Sequence, residues 1–159
     1  MEAAAPSRGG TLDSIRVGEI HRRVKIALGE IGFRHTATCR VIVEVLAAAT
    51  APMMIAAMIE ACPNLPPSSA YRTVRNLHGA GALVEVPHVG AARYELSTQV
   101  GAVRRHHALC RSCGDVMVAP STAGVDAAFA LVASALRDAE MLAEWQQVTL
   151  VGTCCHCRT

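Results

Sequence analysis

Apolar residues recur at helical spacing through the first half of the chain, and at strand spacing in shorter runs after it. Ile20, Val24, Ala27, Leu28 and Ile31 form one stripe, which predicts a first helix from about Ser14 to Ile31. Gly32 breaks it. Thr36 is placed to cap a second helix whose inward face carries Val41, Ile42, Val45 and Leu46. A third helix is expected from about Pro52 to Ala61, burying Met54, Ile55, Met58 and Ile59. Pro63, Pro66 and Pro67 then disfavour helix until Ser68 or Ser69 caps a fourth. There Val74 and Leu77 turn inward, while Tyr71, Arg72 and Arg75 project outward with Ser69 at the first turn. Gly79 or Gly81 ends it. Leu83–Val86 and Ala92–Leu96 alternate as strands around Gly90, a hairpin pattern.

Three helices, a fourth rich in outward Arg, Tyr and Ser, then a hairpin: this is the order of a winged helix-turn-helix. In that arrangement the fourth helix enters the major groove of duplex DNA and the hairpin flanks it. A plain helical core with a solvated basic face accounts for the same pattern. Beyond the hairpin the chain changes character. His107–Leu109 and Asp115–Val118 read as strands, and a helix is expected from about Ser121 to Trp145. Its face carries Val125, Phe129, Val132 and Leu136, and Val148–Val151 is a last strand. The predicted class is α+β. Residues 1–12 form a mobile arm, 13–97 a winged-helix DNA-binding domain, 98–105 a hinge linker and 106–159 a small α/β dimerisation domain.

Composition excludes some classes. Aromatic residues are 3% of the chain, too few for aromatic platforms that stack single-stranded bases. The formal net charge of +2 is too small to name a partner, so the placement of basic residues matters more. The apolar stretch 41–62 is interrupted by Glu44, Thr50, Pro52 and Glu60, and its uncharged run falls short of the ~18–20 residues a membrane span needs. No membrane partner is expected. The seven cysteines with no signal peptide point to a reducing, cytoplasmic setting and thiols kept for metal.

Those thiols carry the clearest chemistry. Cys110-x-x-Cys113 and Cys154-x-x-Cys157 are two knuckles able to enclose one Zn2+ in a tetrahedral S4 shell. Such a closed shell leaves no position for water, so the ion is structural rather than catalytic. A redox pair or reduced core cysteines compete, but a lone redox motif does not explain a second pair. Cys155 lies beside a ligand and is able to replace Cys154 after a one-residue slip.

Several motifs resemble the ferric uptake regulator (Fur) family, with some features of its zinc-uptake branch. Ser69-Ala70-Tyr71-Arg72-Thr73-Val74 followed by Leu77 and Gly81 is similar to the family's recognition helix. Arg93-Tyr94-Glu95-Leu96 resembles its wing strand, His107-x-x-Cys110-x-x-Cys113-Gly114 its hinge-to-zinc motif, and Gly152-x-Cys154-x-x-Cys157 its C-terminal signature. Gly32-Phe33-Arg34-His35-Thr36 resembles the turn before its second helix. The resemblance implies a homodimeric, metal-responsive repressor of palindromic duplex DNA. It implies Cys110, Cys113, Cys154 and Cys157 as structural zinc ligands, and DNA contacts from Ser69, Tyr71, Arg72 and Arg75.

The sensor region departs from the pattern. Where relatives carry a His-rich run this chain has Arg104, Arg105, His106 and His107, and Gln146 stands where a His is frequent. Guanidinium groups do not ligate metals. A regulatory Zn2+ or Fe2+ would therefore rest on Glu85, Glu95 and His107, with His88 from the wing. The alternative is a zinc-stapled DNA-binding regulator with a degenerate sensor, not gated by metal, in which Arg104 and Arg105 stand in for a bound cation. No nucleophile–base constellation or thioredoxin-type setting supports an enzyme, and no small organic substrate is expected.

Overall fold

The computed structural model describes residues 9–102, 105–119, 122–140 and 148–158, with side chains from residue 16 onward. Helix α1 (Gly9–Glu30) starts inside the segment expected as a mobile arm. It buries Ile20, Val24 and Leu28 at i, i+4 and i+8, the stripe that places it on the core. Gly32 takes φ +76°, and Phe33 N–H returns to Leu28 O at 2.8 Å, a left-handed C-terminal cap that glycine accepts without a Cβ penalty. Helix α2 (Ala37–Ala48) starts at Thr36, whose hydroxyl accepts from Cys39 N–H at 3.2 Å. Its buried residues are Cys39, Ile42, Val43 and Leu46, so Val41 and Val45 of the expected inward face are only half-buried.

Strand β1 (Met53–Met54) replaces the start of the expected third helix and pairs antiparallel with Arg93 and Tyr94. That pairing delays helix α3 to Ile55–Ala61, where Met58 alone is fully buried. Helix α4 spans Pro67–Gly79 and begins before the serines expected to cap it. Pro67 in the first turn needs no N–H partner, so neither Ser68 nor Ser69 acts as a cap. Ala70, Val74 and Leu77 are buried, and Tyr71, Arg72 and Arg75 are exposed. Strands β2 (Leu83–Val86) and β3 (Arg93–Leu96) close the hairpin, giving a sheet ordered β1-β3-β2. One core of residues from all four helices and the sheet holds this half together.

The second half is thinner. Strand β4 (His106–Cys110) is the middle of a three-stranded sheet, antiparallel to β5 (Val116–Ala119) and parallel to β6 (Thr149–Gly152). Between β5 and β6 lies helix α5 (Ala123–Asp138), capped by Thr122 and ending before the expected Trp145; residues 141–147, Gln146 among them, lie outside the described residues. No residue of α5 is fully buried, and Leu131 and Val132 are 73% and 55% exposed. The expected face of Val125, Phe129 and Leu136 is half-buried, without Val132.

The two halves meet at the wing. Val86 on β2 packs with Leu109 and Val116 as a small buried cluster. Gly114, at φ +72°, sits so close to the wing tip that an added Cβ would meet Val89 O at 3.1 Å and Val89 Cβ at 3.3 Å. Gly114→Ala adds both left-handed strain and this contact. It is expected to lower stability by about 1–3 kcal/mol in chemical denaturation. A neutral result would show that the wing yields freely.

Candidate metal centre and nucleic-acid face

Two tight turns bring the sulfurs together. The first follows β4, where Gly114 N–H returns to Cys110 O at 2.9 Å; the second follows β6, where Cys157 N–H returns to Cys154 O at 3.1 Å. Because β6 runs parallel beside β4, with Cys110 opposite Gly152, both turns emerge at the same end of the sheet. The sulfurs of Cys110, Cys113, Cys154 and Cys157 all lie within 4.8 Å of one another. Cys113 Sγ and Cys154 Sγ are 3.8 Å apart. That equals the edge of a tetrahedron with Zn–S arms of ~2.3 Å, which is ~3.8 Å. The exposed Cys155 points away and contacts His156 Nδ1 at 3.7 Å, so Cys154 supplies the ligand from this pair.

Backbone dipoles prepare the group for a cation. Cys154 N–H donates to Cys110 Sγ at 3.3 Å, and with the N–H groups of Cys113 and Ser112 it holds the Cys110 thiol down to about 6. Crowding by the sulfurs of Cys154 and Cys113 pushes Cys157 up to about 12. A divalent cation at the centre would offset that crowding and let all four act as thiolates. The donor set fits Zn2+, and the group is the only cluster of three or more candidate ligands among the described residues.

The expected sensor set does not converge. In the wing register Glu85 lies opposite Tyr94 and Glu95 opposite Val84, so a one-residue offset sends the two carboxylates to opposite faces. Glu85 faces Tyr94, whose phenol is held above its usual range by burial and by that carboxylate. His88 Nδ1–H donates to Val86 O at 3.0 Å, with Glu85 Oε1 at 3.6 Å. Glu95 is buried and accepts from His107 Nε2–H at 3.2 Å. Glu95 and His107 thus form one pair, and Glu85 and His88 a separate one.

A residue the sequence did not place as a clasp completes the hinge. Arg105 Nη2 donates to Ala49 O, at the C-terminal end of α2, at 2.8 Å, and Nη1 lies 4.0 Å from Glu95 Oε2. A cation at a helix C-terminus also meets the negative end of its dipole. Arg104 lies outside the described residues. His106 points to the other side of β4 and stacks on Phe129 at 5.2 Å.

On the outer face of α4, Tyr71 is 54% exposed and Arg72 and Arg75 are exposed beside it. Ser69 is half-buried at the first turn. Arg34, in the turn between α1 and α2, joins Arg72, Ser69 and Asn76 around a shallow groove of about 340 Å³. Its signal was faint, since a single Arg in a turn is ordinarily solvated.

The family model for the ferric uptake regulator family matches residues 30–123, more than half of the chain. The chain belongs to the ferric uptake regulator family. Members of this family are metal-responsive transcription regulators and not enzymes. The fold is similar to the Helicobacter pylori ferric uptake regulator, at TM-score 0.65 and 15% identity, over 89% of this chain and 93% of that one. It is similar to the Pseudomonas aeruginosa ferric uptake regulator with manganese, at TM-score 0.62 and 19% identity, over 80% and 95%. It is also similar to the Vibrio cholerae regulator, at TM-score 0.57 and 21% identity, over 82% and 98%. At such identities the likeness is one of fold. A search of curated proteins finds no match. Among the described residues no helix is long and apolar enough to cross a membrane.

Replacing Cys113 with Ser is expected to abolish retention of one zinc per chain and to lower the melting temperature. Cys155→Ser should keep the zinc. Metal content after dialysis against a mild chelator checks both, and loss of zinc in the Cys155 variant alone would reverse the ligand assignment.

Proposed function

We propose that this member of the ferric uptake regulator family is a homodimeric transcriptional repressor that binds palindromic duplex DNA through α4 and carries one structural Zn2+. The observation that carries this reading is the division of α4. Its buried residues Ala70, Val74 and Leu77 fix the helix, and Tyr71, Arg72 and Arg75 stand free on the opposite face. A Tyr ring packs on a thymine methyl, and an Arg fork takes a guanine edge or a phosphate. Ser69 and Arg34 add polar groups at the margin. The division into a DNA-binding unit at 13–97, a hinge at 98–105 and a dimerisation unit from 106 is part of the same proposal.

The apolar surface of the second unit supports a dimer. Leu131 and Val132 on α5, Met117 on β5 and Leu150 on β6 are exposed, and α5 has no fully buried residue. An identical copy related by a two-fold axis covers such a surface in both chains at once. Two α4 helices about one DNA turn apart then match two half-sites. Gel-shift titration on the promoter of the protein's own operon tests the reading. Arg72→Ala and Tyr71→Ala should each weaken binding about 5–150-fold, equivalent to about 1–3 kcal/mol, with the fold and zinc content unchanged. Unaltered affinity in both would reject α4 as the reading element.

For regulation, the hinge favours the reading without a metal at Glu85, Glu95, His107 and His88. The specific observation is Arg105, whose guanidinium holds the end of α2 and stands beside Glu95. A built-in cation there takes the place of a Zn2+ or Fe2+ that would otherwise draw wing and hinge together. Arg105→Ala is expected to weaken DNA binding about tenfold, within the usual range of inter-site coupling. His107→Ala should leave the number of bound metal ions unchanged. An ion lost with His107 would restore the metal-gated hinge.

A further inference from the structure

A second pair of imidazoles lies far from the hinge, in the DNA-binding half. His21 on α1 faces the turn leading into α2, and there His21 Nδ1 is 3.3 Å from His35 Nε2. The rings meet edge-on, with centroids 5.2 Å apart and planes at 71°. Behind the first ring, His21 Nε2 lies 3.5 Å from Glu44 Oε1 on α2. The His21 side chain is 18% exposed, and its Nε2 atom is buried without a hydrogen-bond partner. His35 is half-exposed, so solvent reaches the pair from one side.

We propose that His21 Nδ1 and His35 Nε2 form a two-imidazole seat for a borderline divalent cation, Zn2+ or Cu2+, with water completing its shell. Three observations support it. A tetrahedron with Zn–N arms of ~2.0–2.1 Å has an edge of ~3.3–3.4 Å, and the two nitrogens stand at that separation. A metal-bound histidine ordinarily gives its other N–H to a carboxylate, which fixes its tautomer, and Glu44 Oε1 stands 3.5 Å from His21 Nε2, the carboxylate available to take that role on a small side-chain shift. Imidazole nitrogen is a donor suited to Zn2+ and Cu2+ and unsuited to Mg2+ or Ca2+. Burial, the neighbouring His21, Arg40 and Lys25 hold His35 below the usual imidazole range, so its lone pair is available near neutrality. An imidazole-to-imidazole hydrogen bond is the competing account of the same contact. The 3.3 Å separation accommodates either account, and metal titration separates them. The seat ties α1 to the turn that launches α2.

The full chain, carrying its zinc on the four cysteines, is titrated with Zn2+ by calorimetry and with Cu2+ by electron paramagnetic resonance. One further ion per chain is expected, with hyperfine coupling from two imidazole nitrogens in the unmodified protein. His35→Ala and His21→Ala should each weaken this ion at least tenfold, and Glu44→Gln about tenfold. His107→Ala should have no effect. Retention of the second ion at full affinity in His35→Ala, its loss in His107→Ala, or no second ion at all would overturn the proposal. Because the readout is metal binding and not DNA affinity, its failure is separate from failure of the repressor reading. The resonance signal of the unmodified protein needs no variant to fold.

Discussion

Four sulfurs drawn into one shell are the constraint on which the second half of the molecule depends. Strand β6 lies parallel to β4, and parallel neighbours require a long crossover. The crossover here is β5 and α5, and little within it is buried. Three short strands and one exposed helix do not make a self-sufficient core. The knuckles close the crossover at one end, so that a cation between them would hold together what apolar packing alone leaves loose. Metal binding free energy is then folding free energy for this unit.

The middle strand distributes its side chains between two tasks because successive residues face opposite ways. His106 turns to α5 and stacks on Phe129, and His107 turns to the wing and meets Glu95. Leu109 follows His107 to the wing side, where Val86 completes its cluster. The first half therefore lends a residue to the weaker half. Arg105 adds a further tie from the hinge to the end of α2. The two units are joined by a buried apolar contact, a buried polar pair and a charge-assisted bond, each from a different element.

Much of this was legible in the sequence where the signal is local. The helical stripes, the inward Val74 and Leu77, and the two Cys pairs each depend on spacings of a few residues. Signals that depend on distant pairing were not. Met53 and Met54 read as the start of a helix, because their partners Arg93 and Tyr94 lie far along the chain. The separation of Glu85 from Glu95 follows from wing register, which composition does not reveal. On α2, Cys39 and Val43 are buried in place of Val41 and Val45, because that helix is covered by α1, α3, α4 and β3 from several directions. Arg105 reads from sequence as a missing imidazole and as a stand-in for a bound cation, with no partner named. Its carbonyl partner on α2 is a backbone atom, which no sequence pattern marks.

Position 114 answers to two masters. Its backbone turns with a handedness that disfavours side chains, and its outer surface is pressed by Val89 of the wing. The first demand comes from the cysteine turn and the second from the wing. A lineage drifting at this site would have to solve both problems in one step, so the residue is expected to tolerate little substitution. Its tolerance is set jointly by two parts of the fold that would otherwise change independently.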